Sequence, residues 1–213
     1  YYISMLVEYE NQILPVIPKT FLGLDFVMHG LYVASDEEDA KYPDFLRKAE
    51  KRLAKAQRKL SQKQKESHNR EKQRLRVAIL HEKVANQRQD FLHKKARYLA
   101  DRYDVIGIED ISVKAMAKRK KGGKFSFGKS VADNGWNMFT NMLEYKLAWQ
   151  GKKLIKIDKW YPSSQLCHVC GYQNHETKDL SVREWDCPKC GSHHNRDKNA
   201  AINIREEARR ISA

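Results

Sequence analysis

Two closely spaced pairs of cysteines near the carboxyl end constrain this 213-residue chain more than any other feature. The four residues are Cys167, Cys170, Cys187 and Cys190. Two residues separate the members of each pair, and sixteen residues lie between the pairs. This spacing lets both thiolates of a turn reach one ion, so two pairs complete a tetrahedral shell. A glycine after each second cysteine favours a tight turn. We predict one structural Zn²⁺ in a Cys₄ zinc ribbon.

A shell of four cysteines leaves no open coordination position, so this zinc should be structural and not catalytic. Four nearby histidines could compete as ligands, and we expect them to be bystanders or phosphate contacts: His168, His175, His193 and His194. Thiolates arranged for a metal, with none left over for disulfides, predict an intracellular, cytoplasmic protein. Because the segment has little apolar core, loss of zinc should unfold it.

Positive charge is clustered along the chain, which has 41 Lys and Arg against 27 Asp and Glu and a formal net charge of +14. Thirteen basic residues and three glutamates lie between residues 45 and 76, and seven basic residues without an acid lie between 114 and 129. Clustering of this kind favours phosphate contacts over a merely solvated surface, and so predicts a nucleic-acid partner. No run of about 18 apolar residues is present, so no membrane helix is expected.

Short apolar segments alternate with helical patterns and predict an α/β domain with a mixed sheet. The segments that suit strands are residues 1–10, 20–26, 30–35, 104–110 and 153–158. Prolines at 15 and 18 separate the first two and suggest a domain boundary. A helix is expected from about residue 134 to 149, after a basic, glycine-rich stretch.

Residues 44–102 show a helical pattern with a break at 67–69, where Ser67 or Asn69 could cap the second helix. The first helix carries a heptad seam of Leu46, Ala49, Leu53, Ala56 and Leu60. The second carries a broad apolar stripe of Leu75, Ala78, Val84, Ala85, Phe91, Leu92, Tyr98 and Leu99. These patterns predict an antiparallel helical hairpin with a basic exterior. A coiled-coil dimer is the alternative, and the oligomeric state stays open.

Three acidic residues stand out by their surroundings. Asp25 lies within an apolar strand, where a carboxylate is costly unless it is paired or bound to a metal. Glu109 occupies a matching place at the end of another strand, and Asp197 opens the last predicted helix. Singly, the first two could mark strand ends and Asp197 could be a helix cap. Together, two acids on adjacent strands and one on a nearby helix would suit two Mg²⁺ ions.

Five ordered motifs carry a resemblance to a known family: "GLDF", "GIEDIS", "PSSQLCHVCG", "CPKCG" and "NRDKNAAINI". From about Phe21 onward the chain resembles the C-terminal half of the transposon-encoded TnpB (OrfB) family, which is related to the type V CRISPR effectors. The resemblance implies a RuvC-like nuclease domain with an RNase H-like fold at 19–160, interrupted by a helical insertion at 44–102. It further implies a target-nucleic-acid-binding zinc ribbon at 161–194 and a final RuvC motif at 195–213. Residues 1–18 would be the tail of an upstream β-barrel domain.

The same resemblance implies an RNA-guided DNA endonuclease whose partners are a guide RNA and a target DNA. Asp25, Glu109 and Asp197 would bind two Mg²⁺ or Mn²⁺ ions, with Asp25 bridging them, and hydrolysis would leave a 3′-hydroxyl. Nucleic-acid contacts are expected from Lys118, Arg119, Lys120, Lys121, Lys124 and Arg196. A nuclease-silent, RNA-guided repressor is the alternative function, and a zinc-ribbon adaptor is a third.

Two positions depart from the family pattern. Val27 stands where the first motif usually has glycine, and it could alter the backbone beside the metals. Asn195 replaces the first acid of the usual "DRD", which removes one negative charge while Arg196 remains to contact phosphate. Neither change removes a predicted metal ligand.

Overall fold

The computed structural model describes residues 3–8, 12–28, 30–36, 39–111 and 135–213, and it contains a mixed four-stranded sheet in the order β2-β1-β3-β4. The strands are β1 (Phe21–Phe26), β2 (Tyr32–Ala34), β3 (Val105–Glu109) and β4 (Lys153–Ile157). β3 pairs in parallel with β1 and β4, whereas β2 pairs antiparallel with β1. The predicted mixed α/β sheet is therefore confirmed.

The first predicted strand is wrong for the residues that the structure describes. Residues 3–8 form no strand, although their apolar residues are typical of one. The side chains of Ile3, Met5, Leu6 and Val7 are exposed. Alternating apolar residues need a neighbouring strand and a core to cover them, and nothing in the described residues supplies either one here.

One face of the sheet is covered by two helices. These are α2 (His68–Arg102) and α3 (Trp136–Ala148), which contact each other across the apolar core. Alternate residues of β1 and β3 point to this side because side chains of a strand alternate between faces. The fully buried side chains of this core include Leu22 and Ile106 from the sheet, Leu99 from α2 and Phe139 from α3. Together they form the larger of the apolar clusters.

The opposite face is covered by the last helix, α4 (Arg196–Ser212), which packs across β1, β3 and β4. Glycine at the centre of two neighbouring strands permits this close packing. A Cβ atom at Gly107 would lie 2.6 Å from Cβ of Ala208, and one at Gly23 would overlap the carbonyl oxygen of Ala201. The backbone of α4 therefore rests directly on the sheet.

A long helical hairpin projects from the domain, as predicted, where α1 (Phe45–Ser61) packs against α2. Ser67 caps α2, since its side chain accepts a hydrogen bond from the backbone N–H of Arg70 at 3.2 Å. The seam of α1 is at least half-buried throughout. Four members of the predicted α2 stripe are exposed instead: Leu75, Ala78, Ala85 and Tyr98.

The buried face of α2 includes a polar residue that the apolar pattern does not reveal. The side-chain amide of Gln73 donates to the carbonyl oxygen of Ala56 on α1 at 3.0 Å, which satisfies a buried amide group. The first half of α2 faces a single helix, so a narrow seam suffices there. Its second half faces α3 and the sheet.

Asp197 is not the cap of α4, contrary to one reading of the sequence. Asn195 is the capping residue, and its side-chain oxygen accepts a hydrogen bond from the backbone N–H of Lys198 at 3.1 Å. Asp197 is the second residue of the helix, where a carboxylate still favours the positive end of the helix dipole. The residue that departs from the family pattern therefore takes the capping role.

No helix in the described part of the chain is long and apolar enough to cross a membrane.

Adding a methyl group at Gly23 should destabilise the fold strongly. In Gly23→Ala the new Cβ would lie 2.5 Å from the backbone nitrogen of Arg205, so α4 must move away from β1. We expect a loss of about 2 kcal/mol or more in the free energy of unfolding, measured by urea denaturation. Gly30→Ala is the control because its nearest neighbour is a side-chain methyl of Val27, and it should cost less. Equal stabilities of the two variants would contradict the close helix–sheet contact.

Candidate active site and metal centre

Asp25 and Glu109 lie at corresponding ends of two neighbouring parallel strands. Leu24 is paired with Ile108, and the two acids are the next residue along each strand. Both share the strand face of Gly23 and Gly107, which is the face covered by α4. The register therefore places two carboxyl groups at one edge of the sheet, although 84 residues separate them in sequence.

Asp197 joins them from the helix. Because α4 passes from the carboxyl ends of β1 and β3 toward their amino ends, its first turn lies beside both acids. Arg209 near the end of α4 lies over the ring of Phe21 at the start of β1, which fixes this direction. The three acids line one cavity of about 670 Å³, and its wall includes Ser163, Arg183 and Arg196.

The electrostatics of the cavity show that the acids affect one another. Burial raises the pKa of Asp25 well above its ordinary value, and the negative charges of Glu109 and Asp197 raise it further, while Arg196 acts in the opposite direction. Burial also raises the pKa of Glu109, opposed by a hydrogen bond from the Ser163 hydroxyl. Three like charges in a half-buried site are costly, and bound cations would relieve that cost.

Two arginines line the cavity. Arg183 forms an ion pair with Asp197, with Nη1 at 3.3 Å from Oδ2. Arg196 donates from Nη1 to the carbonyl oxygen of Asp179 at 3.4 Å, and its buried Nε finds no hydrogen-bond acceptor among the residues that the structure describes. Of the predicted nucleic-acid contacts, Arg196 thus lies at the cavity. The others lie outside the described residues: Lys118, Arg119, Lys120, Lys121 and Lys124.

The four cysteines converge as the spacing predicts. All four sulfur atoms lie within 4.8 Å of one another, and no disulfide joins them. Sγ of Cys167 is 3.7 Å from that of Cys190, and Sγ of Cys170 is 3.5 Å from that of Cys187. Four thiolates so arranged could hold one Zn²⁺ in a closed tetrahedral shell.

Each cysteine pair forms a tight turn that ends at glycine. Gly171 and Gly191 have φ values of 73° and 71°, and each donates its N–H to the carbonyl oxygen of the first cysteine in its pair at 2.8 Å. Only glycine adopts this left-handed conformation without strain. A short antiparallel hairpin of β5 (Glu184–Asp186) and β6 (His193–Asn195) then leads directly into α4.

Two of the four histidines have structural roles that the sequence did not reveal. His194 is 2% exposed, and its Nε2 lies 3.1 Å from Sγ of Cys167, so the prediction of a phosphate contact is wrong for this residue. Its ring also packs against Trp185. His168 contacts Asn199 on α4, with Nδ1 at 2.9 Å from Oδ1. Both lie where they hold the ribbon together and hold it against α4.

Other residues of the site were also missed by the sequence. Ser163, Asn199 and Asn203 are buried polar residues beside the acids or the cysteines. The serine in "PSS" and two asparagines spaced by four on one helix are the signals that could have drawn attention to them.

Two protein-family models match the chain. The model OrfB_IS605, described as "Probable transposase", matches residues 4–120, which is more than half of the chain. A model described as the TNB domain of Cas12f1-like proteins matches residues 136–204, a range that contains all four cysteines and Asp197.

Curated relatives are similar over nearly the whole chain. A "Putative RNA-guided DNA endonuclease" from Streptomyces pristinaespiralis is 40% identical over 205 residues, and one from Escherichia coli K12, InsQ, is 34% identical over 215. Both alignments cover 96% of this chain, but 49% and 53% of the relative. The CRISPR-associated endodeoxyribonuclease Cas12f1 of Sulfoacidibacillus thermotolerans is 27% identical, with 49% of its length covered. The chain therefore spans about half the length of these relatives.

Two solved structures share the fold. A Cas12f1-sgRNA-target DNA complex gives a TM-score of 0.55 over 89% of this chain and 50% of the matched chain. A CRISPR-Cas12f ternary complex gives 0.57 over 93% and 40%. Sequence identity is 20% in both cases, so the likeness concerns the fold.

The protein should carry one zinc ion per chain, and the ribbon should depend on it. Cys170→Ala removes one of four ligands, so we expect loss of zinc by metal analysis and faster amide hydrogen exchange across residues 161–195. Lys189→Ala is the control because Lys189 is an exposed residue between two ligands of the same turn. Full zinc content and unchanged exchange in the cysteine variant would contradict the assignment.

Removing the charge of Asp25 should stabilise the protein at high pH when no divalent cation is added. An unfolded aspartate ionises near pH 4, but the folded site holds its proton to higher pH, so stability falls as pH rises through this interval. Asp25→Asn removes that loss, which amounts to roughly 1.4 kcal/mol per unit of pKa difference. Urea denaturation between pH 4.5 and 8 measures it.

The control for this measurement is Glu82→Gln, a change of one exposed carboxylate on α2. Its stability should follow that of the unmodified protein at every pH. Parallel pH profiles for the unmodified protein and Asp25→Asn would show that burial and like charge do not act on Asp25.

Proposed function

Because the chain belongs to the OrfB_IS605 family, whose model matches more than half of it, we propose that it is the nuclease portion of an RNA-guided DNA endonuclease. The observation that carries the proposal is the convergence of Asp25, Glu109 and Asp197 on one cavity from three distant parts of the chain. The names of the curated relatives support the same activity.

The domain organisation that we propose follows the fold. Residues 19–160 would form the RNase H-like (RuvC) domain, interrupted by the helical insertion at 44–102. Residues 161–194 would form the zinc ribbon, and residues 195–213 the last motif of the active site. Residues 1–18 would belong to an upstream β-barrel. Support comes from the mixed sheet, whose edge carries the acids, and from the helix that follows the ribbon directly.

The three acids suit divalent cations of the Mg²⁺ type. Carboxylate oxygens are the ligands that such hard ions prefer. Burial and the negative charges of Glu109 and Asp197 raise the pKa of Asp25, and a bound cation would offset both effects. Asp25, whose pKa both other acids raise, would be a ligand of both ions. Two Mg²⁺ or Mn²⁺ ions, when bound, would activate water and stabilise the charge that develops on the phosphate.

The protein's own residues would orient the reaction. Ser163 holds the carboxyl group of Glu109 through a hydrogen bond, and Arg196, which lines the cavity, would donate a hydrogen bond to a phosphate oxygen. Water attacks the scissile phosphorus while the bond to the 3′ oxygen breaks and that oxygen takes a proton. The products are a 3′-hydroxyl and a 5′-phosphate.

The partners in this proposal are a guide RNA and a target DNA. The net charge of +14 supports binding of polyanions. The ribbon would contact target nucleic acid beside the cavity, and the basic segment at 114–129 would steer the strand toward it. Sequence selection would come from pairing with the guide and not from side chains.

Substitution of the acids should abolish cleavage and spare binding. We expect Asp25→Ala, Glu109→Ala and Asp197→Ala each to slow DNA cleavage by about 1,000-fold or more, because several kcal/mol of transition-state stabilisation depends on the bound ions. The experiment uses the full-length protein with the RNA that co-purifies with it, a matching DNA and Mg²⁺. Cleavage is followed on gels and binding by filter retention.

Glu82→Gln should cleave like the unmodified protein, since this acid lies on the helical hairpin. Binding without cleavage by the unmodified protein would overturn the nuclease proposal in favour of an RNA-guided repressor. Loss of neither activity in any of the three variants would instead favour an adaptor built on the zinc ribbon.

A further inference from the structure

One short segment of the chain touches both the acid cavity and the zinc ribbon. This segment, Ser163–His168, begins at the cavity wall and ends in the first cysteine turn. We call it the bridging segment. Hydrogen bonds join it to α4 and to Glu109, and the side chains of Ser163, Asn199 and Asn203 that make them are buried.

At its zinc end, the bridging segment is fastened to α4 by Asn199. The side-chain oxygen of Asn199 accepts from the backbone N–H of His168 at 3.1 Å, and Nδ1 of the same histidine lies 2.9 Å away. An amide oxygen only accepts, so His168 must carry its proton on Nδ1. Asn199 also donates to the carbonyl oxygen of Leu166 at 2.7 Å. Asn199 is 1% exposed.

The middle of the bridging segment is held by Asn203, one helical turn further along α4. Its side-chain nitrogen donates to the carbonyl oxygens of Leu166 at 2.7 Å and Ser163 at 2.8 Å. Asn203 is 6% exposed, and a buried amide is costly unless it is hydrogen-bonded. The hydrogen bonds of the two asparagines therefore fix the backbone of the bridging segment against α4.

The cavity end of the bridging segment is tied to an acid. Ser163 is 4% exposed, and its hydroxyl donates a hydrogen bond to the carboxyl group of Glu109. Its backbone N–H is also engaged, donating to the carbonyl oxygen of Tyr161 at 2.8 Å. Because the backbone of Ser163 is held in place, its hydroxyl can fix the orientation of the Glu109 carboxyl group.

The same helix carries a second acid of the cavity. Asp197 lies two residues before Asn199 on α4. The hydrogen bond from His168 to Asn199 therefore also fixes the position of the first cysteine turn relative to Asp197. The contacts form two routes from Cys167 to the cavity. One runs through α4 to Asp197, and the other runs through the bridging segment to Glu109.

We propose that Ser163, Asn199 and Asn203 are positioning residues through which the zinc-bound first cysteine turn sets the location of Glu109 relative to Asp197. The zinc would then serve the acid site, in addition to shaping the ribbon, by fixing how well the acids hold divalent cations. The inference rests on the proposed function in taking these acids as cation ligands. Its structural half, the coupling of zinc to Glu109, does not depend on cleavage.

Substitution at Ser163 tests the effect on cations. In the full-length protein, Ser163→Ala should weaken Mn²⁺ binding, measured by titration calorimetry, by about 10-fold, with zinc content unchanged at one per chain. Ser163→Thr keeps the hydroxyl and should restore most of the affinity. Ser61→Ala, which removes an exposed hydroxyl on α1 that does not line the cavity, is the control and should bind as the unmodified protein does. Unchanged Mn²⁺ affinity in Ser163→Ala would overturn the inference.

Hydrogen exchange tests the coupling independently of any metal at the acids. Cys170→Ala, which removes a zinc ligand outside the bridging segment, should speed exchange at residues 105–111 and in the first two turns of α4. Asn203→Asp should do the same with zinc retained, since it replaces a donor facing two carbonyl oxygens with an acceptor. Lys189→Ala should leave these residues unchanged. Faster exchange confined to residues 161–195 would overturn the coupling.

The two proposals fail in different ways. Suppose that the unmodified protein binds no Mn²⁺ and cuts no DNA, yet loss of zinc in Cys170→Ala speeds hydrogen exchange at residues 105–111. That result would overturn the proposed function and support the coupling. Mn²⁺ binding that requires Asp25 but is the same in Ser163→Ala would support the proposed function and overturn the inference.

Discussion

Close contact between the backbone of α4 and the centre of the sheet brings the distant parts of this protein together. Gly23 and Gly107 leave the space, and α4 fills it with its own backbone and with small residues such as Ala208. That contact sets the height and direction of the helix, and its first turn then lies at the ends of β1 and β3. The ribbon, which leads directly into α4, is positioned by the same packing.

The acid cavity has an energetic cost that the fold must offset. Burial and the negative charges of Glu109 and Asp197 both oppose ionisation of Asp25. Ionisation of Asp25 in the folded state therefore lowers the free energy of unfolding. The large apolar core between the sheet, α2 and α3 supplies the compensation, since hydrophobic burial is the main favourable contribution to folding.

In the part of the chain that the structure describes, the cysteine-bearing segment (residues 161–195) is joined to α4 by polar contacts of Asn199 and Asn203. The apolar cluster of this segment is small, consisting of Trp185, Val182, Cys167, Cys170 and Cys187. The amides of Asn199 and Asn203 therefore contribute much of the specificity of its placement. Directional hydrogen bonds fix an orientation more sharply than apolar contacts do. One family model matches residues 136–204, a range that includes both the cysteine-bearing segment and the first half of α4.

Features that depend on local spacing and pattern could be predicted from the amino-acid sequence. The cysteine pairs, the strands of the sheet, the helical hairpin and the isolated acids Asp25 and Glu109 are all visible there, because short spacings and periodicity act within a few residues. Tertiary structure alone decided the rest. The N-terminal apolar segment lacked a partner among the described residues, Asn195 took the cap expected of Asp197, and His194 became a buried neighbour of Cys167. The bonds from Ser163, Asn199 and Asn203 join residues up to 54 positions apart. Such partners are chosen by the packing of α4 on the sheet, which no local pattern encodes.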